Sequence, residues 1–465
     1  RTSWRRRRQT MPRRNHVLLL RHCVRSTHGK IRVCDGDGDA NGTARKALLS
    51  EYVATPLPEW DVPSLWCTER GVDLIWDLGG YLVGEAIDVP PDARVVVTIV
   101  SDTHQRNVDT SLALLRSMKD ALEGRSYAGL DRISVDHEVF GHSSSWPETT
   151  CPSTHFKDRE IYDEISDRIT RLPPSDFRVQ EMLDRIASLG GFNETIVVGN
   201  DASPYAPCPG TLSLPLALLV SAAEMALYSR ASDVDPPFLP AASDDDVYRM
   251  TRAADYVGAL EALDNKDSAK RGLVLAKSVL GALLLGIDSD DDAGGPGSRA
   301  GEDDDDEALV TITVFVGHHS NINHVATALG LRWTMPPPYA HGSDDDAGRV
   351  VSTPPGSGIM FSSSSEEDGD VSMSYVAPVN LIRNETTDMT DHQLVPIYTI
   401  DMARPESAVR DDRSRNGTIT ANELLRRVRA TTAKYPELRP CYADAPTLLG
   451  LEEFREKTAL NATTF

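Results

Sequence analysis

Several large classes of protein are excluded by what this chain lacks. Its six cysteines include no Cys-x-x-Cys pair, the spacing on which zinc and redox sites are built, so an even number without it points to disulfides. Positive charge is in deficit. Against 70 Asp and Glu stand 48 Lys and Arg, a formal charge of −22, which argues against nucleic acid or an anionic membrane as partner. Much of the acid sits in runs such as Asp303–Asp306 and Asp344–Asp346, read as solvated loops. The longest apolar stretch, Thr211–Tyr228, contains Pro215 and Glu224 and is read as a buried helix, not a membrane span. There is no internal repeat. The opening residues, RTSWRRRRQTMPRRNH, have no initiator Met and no apolar signal region, so the start is expected to be incomplete.

What is present describes a folded, secreted protein. The 465 residues are 40% apolar, enough for a large core and two domains. Asn-x-Ser/Thr sequons stand at Asn41, Asn193, Asn384, Asn416 and Asn461. With the cysteines they favour an oxidising route, hence a secreted or lumenal glycoprotein, the vacuole and lysosome included.

Three short apolar runs, Val17–Leu20, Val95–Val100 and Leu309–Val316, read as buried strands. Each leads into polar, cationic residues and then a helical pattern: Leu112, Leu115, Met118 and Leu122 after the second, Val325, Ala328 and Leu329 after the third. Strand, loop and helix in repetition predict an α/β fold with a mostly parallel sheet. Ligands then bind beyond the carboxyl ends of the strands, where all three cationic motifs stand. The expected organisation is a basic, disordered leader (1–15), an α/β domain (16–135 and 251–465) and an inserted, smaller α-domain (136–250). Acidic loops at 287–307 and 341–348 are expected to be disordered.

The first motif is Arg21-His22-Cys23-Val24-Arg25. Arginine binds phosphate oxygens through a planar fork of donors and stays charged at any working pH. A neutral imidazole between two such forks is placed to attack phosphorus. A basic strand end that binds nothing is the bland alternative. The second motif, Ser101-Asp102-Thr103-His104-Gln105-Arg106, offers one further Arg. The third, Gly317-His318-His319-Ser320-Asn321, puts two histidines where oxyanion stabilisation and proton transfer are possible. A satisfied surface pair, or half of a zinc site, reads equally from it, but Asn321, Asn323 and His324 complete no convincing ligand set.

Together these residues resemble the histidine acid phosphatases, in the branch with phytases and glucose-1-phosphatases. The family's Arg-His-Gly-x-Arg-x-Pro stands as Arg21-His22-Cys23-Val24-Arg25-Ser26-Thr27, and its Gly-His-Asp-x-Asn as Gly317-His318-His319-Ser320-Asn321. Leu65-Trp66-Cys67-Thr68-Glu69-Arg70-Gly71 resembles the opening of its early helix. Asp102 to Arg106, Leu331-Arg332-Trp333 and Pro354-Pro355-Gly356 follow in the family's order, across about residues 16–445. The resemblance implies a three-layer αβα, phosphoglycerate-mutase-like domain with an inserted α-domain. It implies His22 as nucleophile, Arg21, Arg25 and Arg106 as phosphate clamp, and His318 as a hydrogen-bond donor to phosphate. No cofactor and no metal are then needed, the partner is a small phosphate ester, and oligomeric state is left open.

The departures are specific. His319 replaces the Asp that protonates the leaving group, and Ser320 stands where some relatives place a Glu. A histidine has an ordinary pKa near 6.5, so the expectation is a phosphatase with a weakened leaving-group step; a binding-only homologue is the alternative. Cys23 replaces Gly, as a buried residue or an oxidisable thiol, and Thr27 replaces Pro, loosening the loop. His28 and Lys30 follow, as substrate contacts or solvated loop. The resemblance suggests a Cys151–Cys441 disulfide; Cys34 with Cys67 is the next pairing, and Cys208 is left over. Finally, Asp412, Ser414, Asn416 and Glu423 fit positions 1, 3, 5 and 12 of a calcium loop with Gly417 at 6. A turn followed by a helix with a Thr420/Glu423 capping box is the competing reading.

Overall fold

The computed structural model describes residues 14–27, 29–35, 43–90, 93–101, 103–124, 178–193, 212–262, 266–284, 309–333, 335, 338–339, 352–364, 370–382, 391–399 and 418–434. Its strands are β1 (Arg14–Arg21), β2 (Lys30–Asp35), β3 (Thr43–Leu48), β4 (Arg94–Ser101), β5 (Leu309–Gly317), β6 (Leu331–Trp333), β7 (Gly358–Ser364), β8 (Asp370–Pro378), β9 (His392–Thr399) and β10 (Thr418–Thr420). Its helices are α1 (Glu69–Tyr81), α2 (Gln105–Glu123), α3 (Val179–Ser188), α4 (Leu214–Ala231), α5 (Asp244–Ala262), α6 (Lys266–Leu284), α7 (His319–Leu329) and α8 (Ala421–Lys434).

All but β2 and β3, which form a separate hairpin, join one sheet in the order β4-β5-β1-β7-β8-β9-β6, with β10 on β8. The three strands expected from apolar runs are its parallel part: β1 and β4 both pair β5 in parallel. The later pairs are antiparallel. Followed across the sheet, β4, β5, β1, β8 and β6 point one way and β7, β9 and β10 the other.

β1 explains its own sequence. Val17 and Leu19 join a core with the helices from α3 to α8, whereas Leu18 and Leu20 join a second core with α1 and α2. A strand covered on both faces reads as a continuous apolar run, without alternation. The result is the expected three-layer αβα arrangement. On α2 the buried face lies through Ala113, Leu114, Met118 and Leu122, with Leu112 exposed; the helical spacing is right but the stripe is turned from the expected one. α4 is long and apolar enough for a membrane span on composition alone, but 72% of it is buried inside the protein.

The parallel register delivers the motifs to one edge. Arg21 stands opposite Gly317, and Ser101 opposite Val316. The backbone then ties the ends together. The His22 N–H donates to the Gly317 carbonyl (2.9 Å), the Arg21 N–H to Ser357 (2.8 Å), and the Gly356 N–H to His22 (3.2 Å). The loop after β1 is held by the head of α1: Thr68 donates its N–H to the Val24 carbonyl (3.1 Å), and its side chain caps the helix by accepting from Gly71 (3.1 Å). α1 lies so close that a Cβ on Gly71 would sit 2.1 Å from the Val24 oxygen.

Cysteine pairing differs from the expectation. Cys67 is bonded to Cys23, not to Cys34. Cys23 is thus neither a free thiol nor a merely buried one. The bond closes a sequence separation of 44, worth about 4 kcal/mol on the chain-entropy account. The Thr27 hydroxyl accepts the Gly29 N–H (3.2 Å). Cys151, Cys208 and Cys441 lie outside the described residues, as do the loops 287–307 and 341–348. Of the expected leader, Arg14 and Asn15 belong to β1.

Two stability predictions follow from this packing. Gly71→Ala, which in an ordinary helix interior is stabilising, is expected to destabilise by about 1–3 kcal/mol because the Val24 carbonyl has to move; a denaturant titration measures it. His16 is buried and its Nδ1 lies 2.8 Å from the Ser362 hydroxyl. Burial first, then the Arg14 charge, pushes its pKa down to about 4, with Asp88 opposing. The unfolded chain therefore takes up this proton first as pH falls. The contribution is complete above about pH 6.5 and drains away towards pH 4, by about 3 kcal/mol. His16→Gln is expected to flatten the fall in unfolding free energy between pH 7 and 4 by that amount.

Candidate active site

His22 is buried at the end of β1 (3% exposed). Its Nδ1 lies 2.8 Å from the Cys23 carbonyl oxygen. A carbonyl only accepts, so Nδ1 carries the proton and Nε2 is left with its lone pair. Burial first, then the charges of His318, Arg106, Arg21 and Arg25, drives protonation of His22 well below the ordinary histidine range. The ring is therefore a neutral imidazole of fixed tautomer under a cationic field.

The same electrostatic neighbourhood shows that the structure brings Arg21, Arg25, Arg106 and His318 together around His22. Arg21 is held by two acceptors, the Thr353 carbonyl and the Tyr228 hydroxyl. Arg25 pairs with Glu224 (2.7 Å) and lies 5.4 Å over the Tyr228 ring. Tyr228 is also hydrogen-bonded to Glu224. One helix, α4, thus joins the two arginines that flank His22: Arg21 to Tyr228, Tyr228 to Glu224, Glu224 to Arg25. Glu224 and Tyr228 stand at i and i+4 and therefore share a helix face.

His318 caps α7, and its N–H donates to the Asn321 side chain (2.8 Å). The His318 ring is edge-on to His22, with centroids 5.3 Å apart, and to His104, at 5.4 Å. His104, the residue before α2, is part of this row; its presence inside the second motif was the only sign of it in the sequence. His319, the first residue of α7, is exposed. Crowding by neighbouring protein atoms first, then Arg21, His318 and Arg25, lowers its protonation well below the usual range.

Other groups sit near the site unannounced by sequence. Asp255 on α5 accepts the Ser352 hydroxyl, and burial pushes its pKa up to about 6, with Ser352 and then Arg21 opposing. The Ser352 carbonyl accepts from Tyr375 (3.1 Å) and Trp333 (3.3 Å). Lys30 is exposed on β2, while His28 and Asp102 lie outside the described residues. Among the described residues no group of three His, Cys, Asp or Glu is placed to hold a metal ion.

The calcium-loop residues Asp412, Ser414 and Asn416 lie outside the described residues. Glu423 is on α8, where its carboxylate meets Arg426 and Arg427 (3.1 Å to the latter). Its N–H donates to the Thr420 hydroxyl (3.2 Å), the cap of a helix start.

No protein-family model matches the chain, and no curated protein matches it. Solved structures do. The apo phytase of Hafnia alvei is 17% identical, with a TM-score of 0.55, covering 91% of this chain and 97% of its own. The same phytase in complex with myo-inositol hexakis sulphate is 16% identical, with a TM-score of 0.58 over 91% and 97%. The phytase from Citrobacter braakii is 16% identical, at 0.58 over 92% and 98%. The αβα sheet with its flanking helices is the fold of these phytases.

Proposed function

We propose that the chain is a metal-independent phosphomonoesterase of the histidine acid phosphatase kind, acting on small phosphate esters, inositol phosphates among them, through a phosphohistidine on His22. The observation that carries this reading is the setting of His22: buried, with Nδ1–H spent on the Cys23 carbonyl, which leaves the lone pair on Nε2, and with Arg21, Arg25 and Arg106 in its electrostatic neighbourhood. The likeness in fold to phytases, one of them holding an inositol polysulphate, supports it.

In the proposed reaction Arg21, Arg25, Arg106 and His318 hold the phosphoryl oxygens and stabilise charge in transfer. The Nε2 of His22 bonds to phosphorus as the ester P–O bond breaks. Water then attacks phosphorus, the P–N bond breaks, and phosphate leaves with His22 restored. Residues 136–250, read as an inserted helical unit, supply α4 and with it Glu224 and Tyr228, on the side of the cleft that would select the ester. The Cys23–Cys67 bond fits an oxidising compartment, consistent with a secreted protein.

The leaving alkoxide needs a proton. His319 stands at the position of the usual Asp, and in the free site it is held neutral. A neutral imidazole is a poor acid, so the step would suit leaving groups that depart unprotonated. That same feature favours the second reading, a homologue that binds phosphate esters and hardly turns them over.

Hydrolysis of p-nitrophenyl phosphate and phytate from pH 3 to 8 in EDTA separates the two. The expected result is turnover that His22→Ala lowers by at least about 1000-fold. Because the folded-state protonation of His22 lies below 6.5, the nucleophile stays available as pH falls; kcat/KM at pH 5 is expected to match or exceed that at pH 7. A profile that collapses with a midpoint near 6.5 contradicts this. A folded protein that binds phosphate and gives no turnover installs the binding reading. Aryl phosphates are expected to outpace alkyl phosphates by about 100-fold, the lower end of what a general acid is worth. His319→Asp is expected to raise the alkyl rate at least about 10-fold and leave the aryl rate nearly unchanged; equal rates for both ester classes in the unaltered chain would sink the weakened-acid idea.

A further inference from the structure

The Cys23–Cys67 bond is buried, with 0% and 6% exposure, and it lies where three segments of the site meet. Cys23 follows the nucleophile. Cys67 precedes the cap of α1, and its backbone bridges Arg25. The two sulfurs, Cys23 and Cys67, lie 3.9 and 3.3 Å from the carbonyl oxygen of Arg106, in the first turn of α2. Thr110, one turn further along and fully buried, donates its hydroxyl to that same carbonyl (2.6 Å) and accepts the Cys23 N–H (3.0 Å). Its oxygen is 3.8 Å from the Cys67 sulfur.

None of these three side chains is charged, so they add nothing to the field on a phosphate. Their effect is on distance. A guanidinium on a long stem finds its place only if its backbone is in register with the rest of the site. Residues 22–25 follow β1 and Arg106 lies on α2, which follows β4; they are joined through Thr110 and the cystine.

We propose that Cys23, Cys67 and Thr110 are positioning residues that hold Arg106 in register with His22 and Arg25, so that oxidation of the two thiols completes the phosphate site. This rests on the reading of that site as a phosphate-ester site. Reduction by a dithiol would transfer two electrons to the cystine, break the S–S bond, leave two thiols and convert the reductant to its own disulfide. Two unbonded thiols need more room than a cystine in a close-packed interior, and the strain would fall on the Arg106 turn.

The test uses the full oxidised chain and inorganic phosphate as probe, read as its competitive inhibition constant against p-nitrophenyl phosphate well below the melting temperature. Thr110→Val removes the hydroxyl at nearly constant volume; it is expected to weaken phosphate inhibition about 10-fold, the size of a lost charge-assisted contact. The Cys23→Ala/Cys67→Ala double variant is expected to do the same, and Thr110→Ser to restore affinity. In an Arg106→Ala background Thr110→Val is expected to have no further effect, the mark of residues acting through one another.

Unchanged phosphate inhibition in Thr110→Val, with only the melting temperature lowered, overturns the proposal. So does an undiminished effect in the Arg106→Ala background. If the double variant fails to fold, Thr110→Val and its cycle with Arg106→Ala decide alone. An unaltered chain that neither hydrolyses the ester nor is protected by phosphate defeats the phosphatase reading itself, and the positioning role with it.

Discussion

The guanidinium groups of Arg21, Arg25 and Arg106 converge on His22, and like charges at short range repel far more strongly in a crowded interior than in water. They remain there because acceptors are built in among them. Arg21 donates to a backbone carbonyl and a phenol, and Arg25 to a carboxylate. Glu224 places a negative charge beside Arg25, and Tyr228 is hydrogen-bonded to both Glu224 and Arg21. Their helix packs into the core shared with β1, so the arginine cluster and the fold are stabilised by the same burial. At His22 burial first, and then the neighbouring cations, disfavour an imidazolium, so the ring stays neutral.

Each part of the sheet contributes differently. The parallel strands β4, β5 and β1 deliver Arg106, His318 and His22 to one edge, since parallel strands end together. The antiparallel strands that follow bring back the segment before β7, whose backbone at Thr353, Gly356 and Ser357 meets Arg21 and His22. The Arg21 side chain and the backbone of Arg21 and His22, at the end of β1, are therefore held by the backbone entering the antiparallel half.

Much of this was legible in the sequence. β1, β4 and β5 are buried on both faces and announce themselves as apolar runs, and each motif follows its strand at once. The strands beyond residue 357 are harder to read: β7 ends in serines, and β9 contains a proline and alternates in burial. The partnership of Glu224 with Arg25 spans 199 positions, and nothing local marks either residue as paired. Glu224 could be read only as an interruption in an apolar stretch. The same limit applied to the cysteines. Cys67 was visible as part of a helix opening, but that Cys23 lies across from it depends on the antiparallel bridge between Arg25 and Cys67. On α2, a stripe of leucines suggested Leu112 as core, whereas Thr110, Ser111 and Ser117 are buried and hydrogen-bonded, and small polar residues carry no periodic signal.

The replacement at position 319 is best understood through the field that the rest of the site creates. Burial first, and then the cationic neighbours, disfavour protonation of His22 and of His319 alike. On the proposed mechanism the same surroundings would serve the attack and oppose the departure. A bound phosphate ester would change the balance at both rings, because its negative oxygens offset the arginine charge. For His22 the lone pair would, on the proposed mechanism, by then be directed at phosphorus. For His319 the offset raises proton affinity at the one moment a proton is useful. Leaving-group protonation in this chain would thus be gained only on binding, and its strength would depend on how completely the substrate's charge fills the clamp. Esters with further anionic groups near the cleft would fill it best, which is where an imidazole in place of a carboxylate costs least.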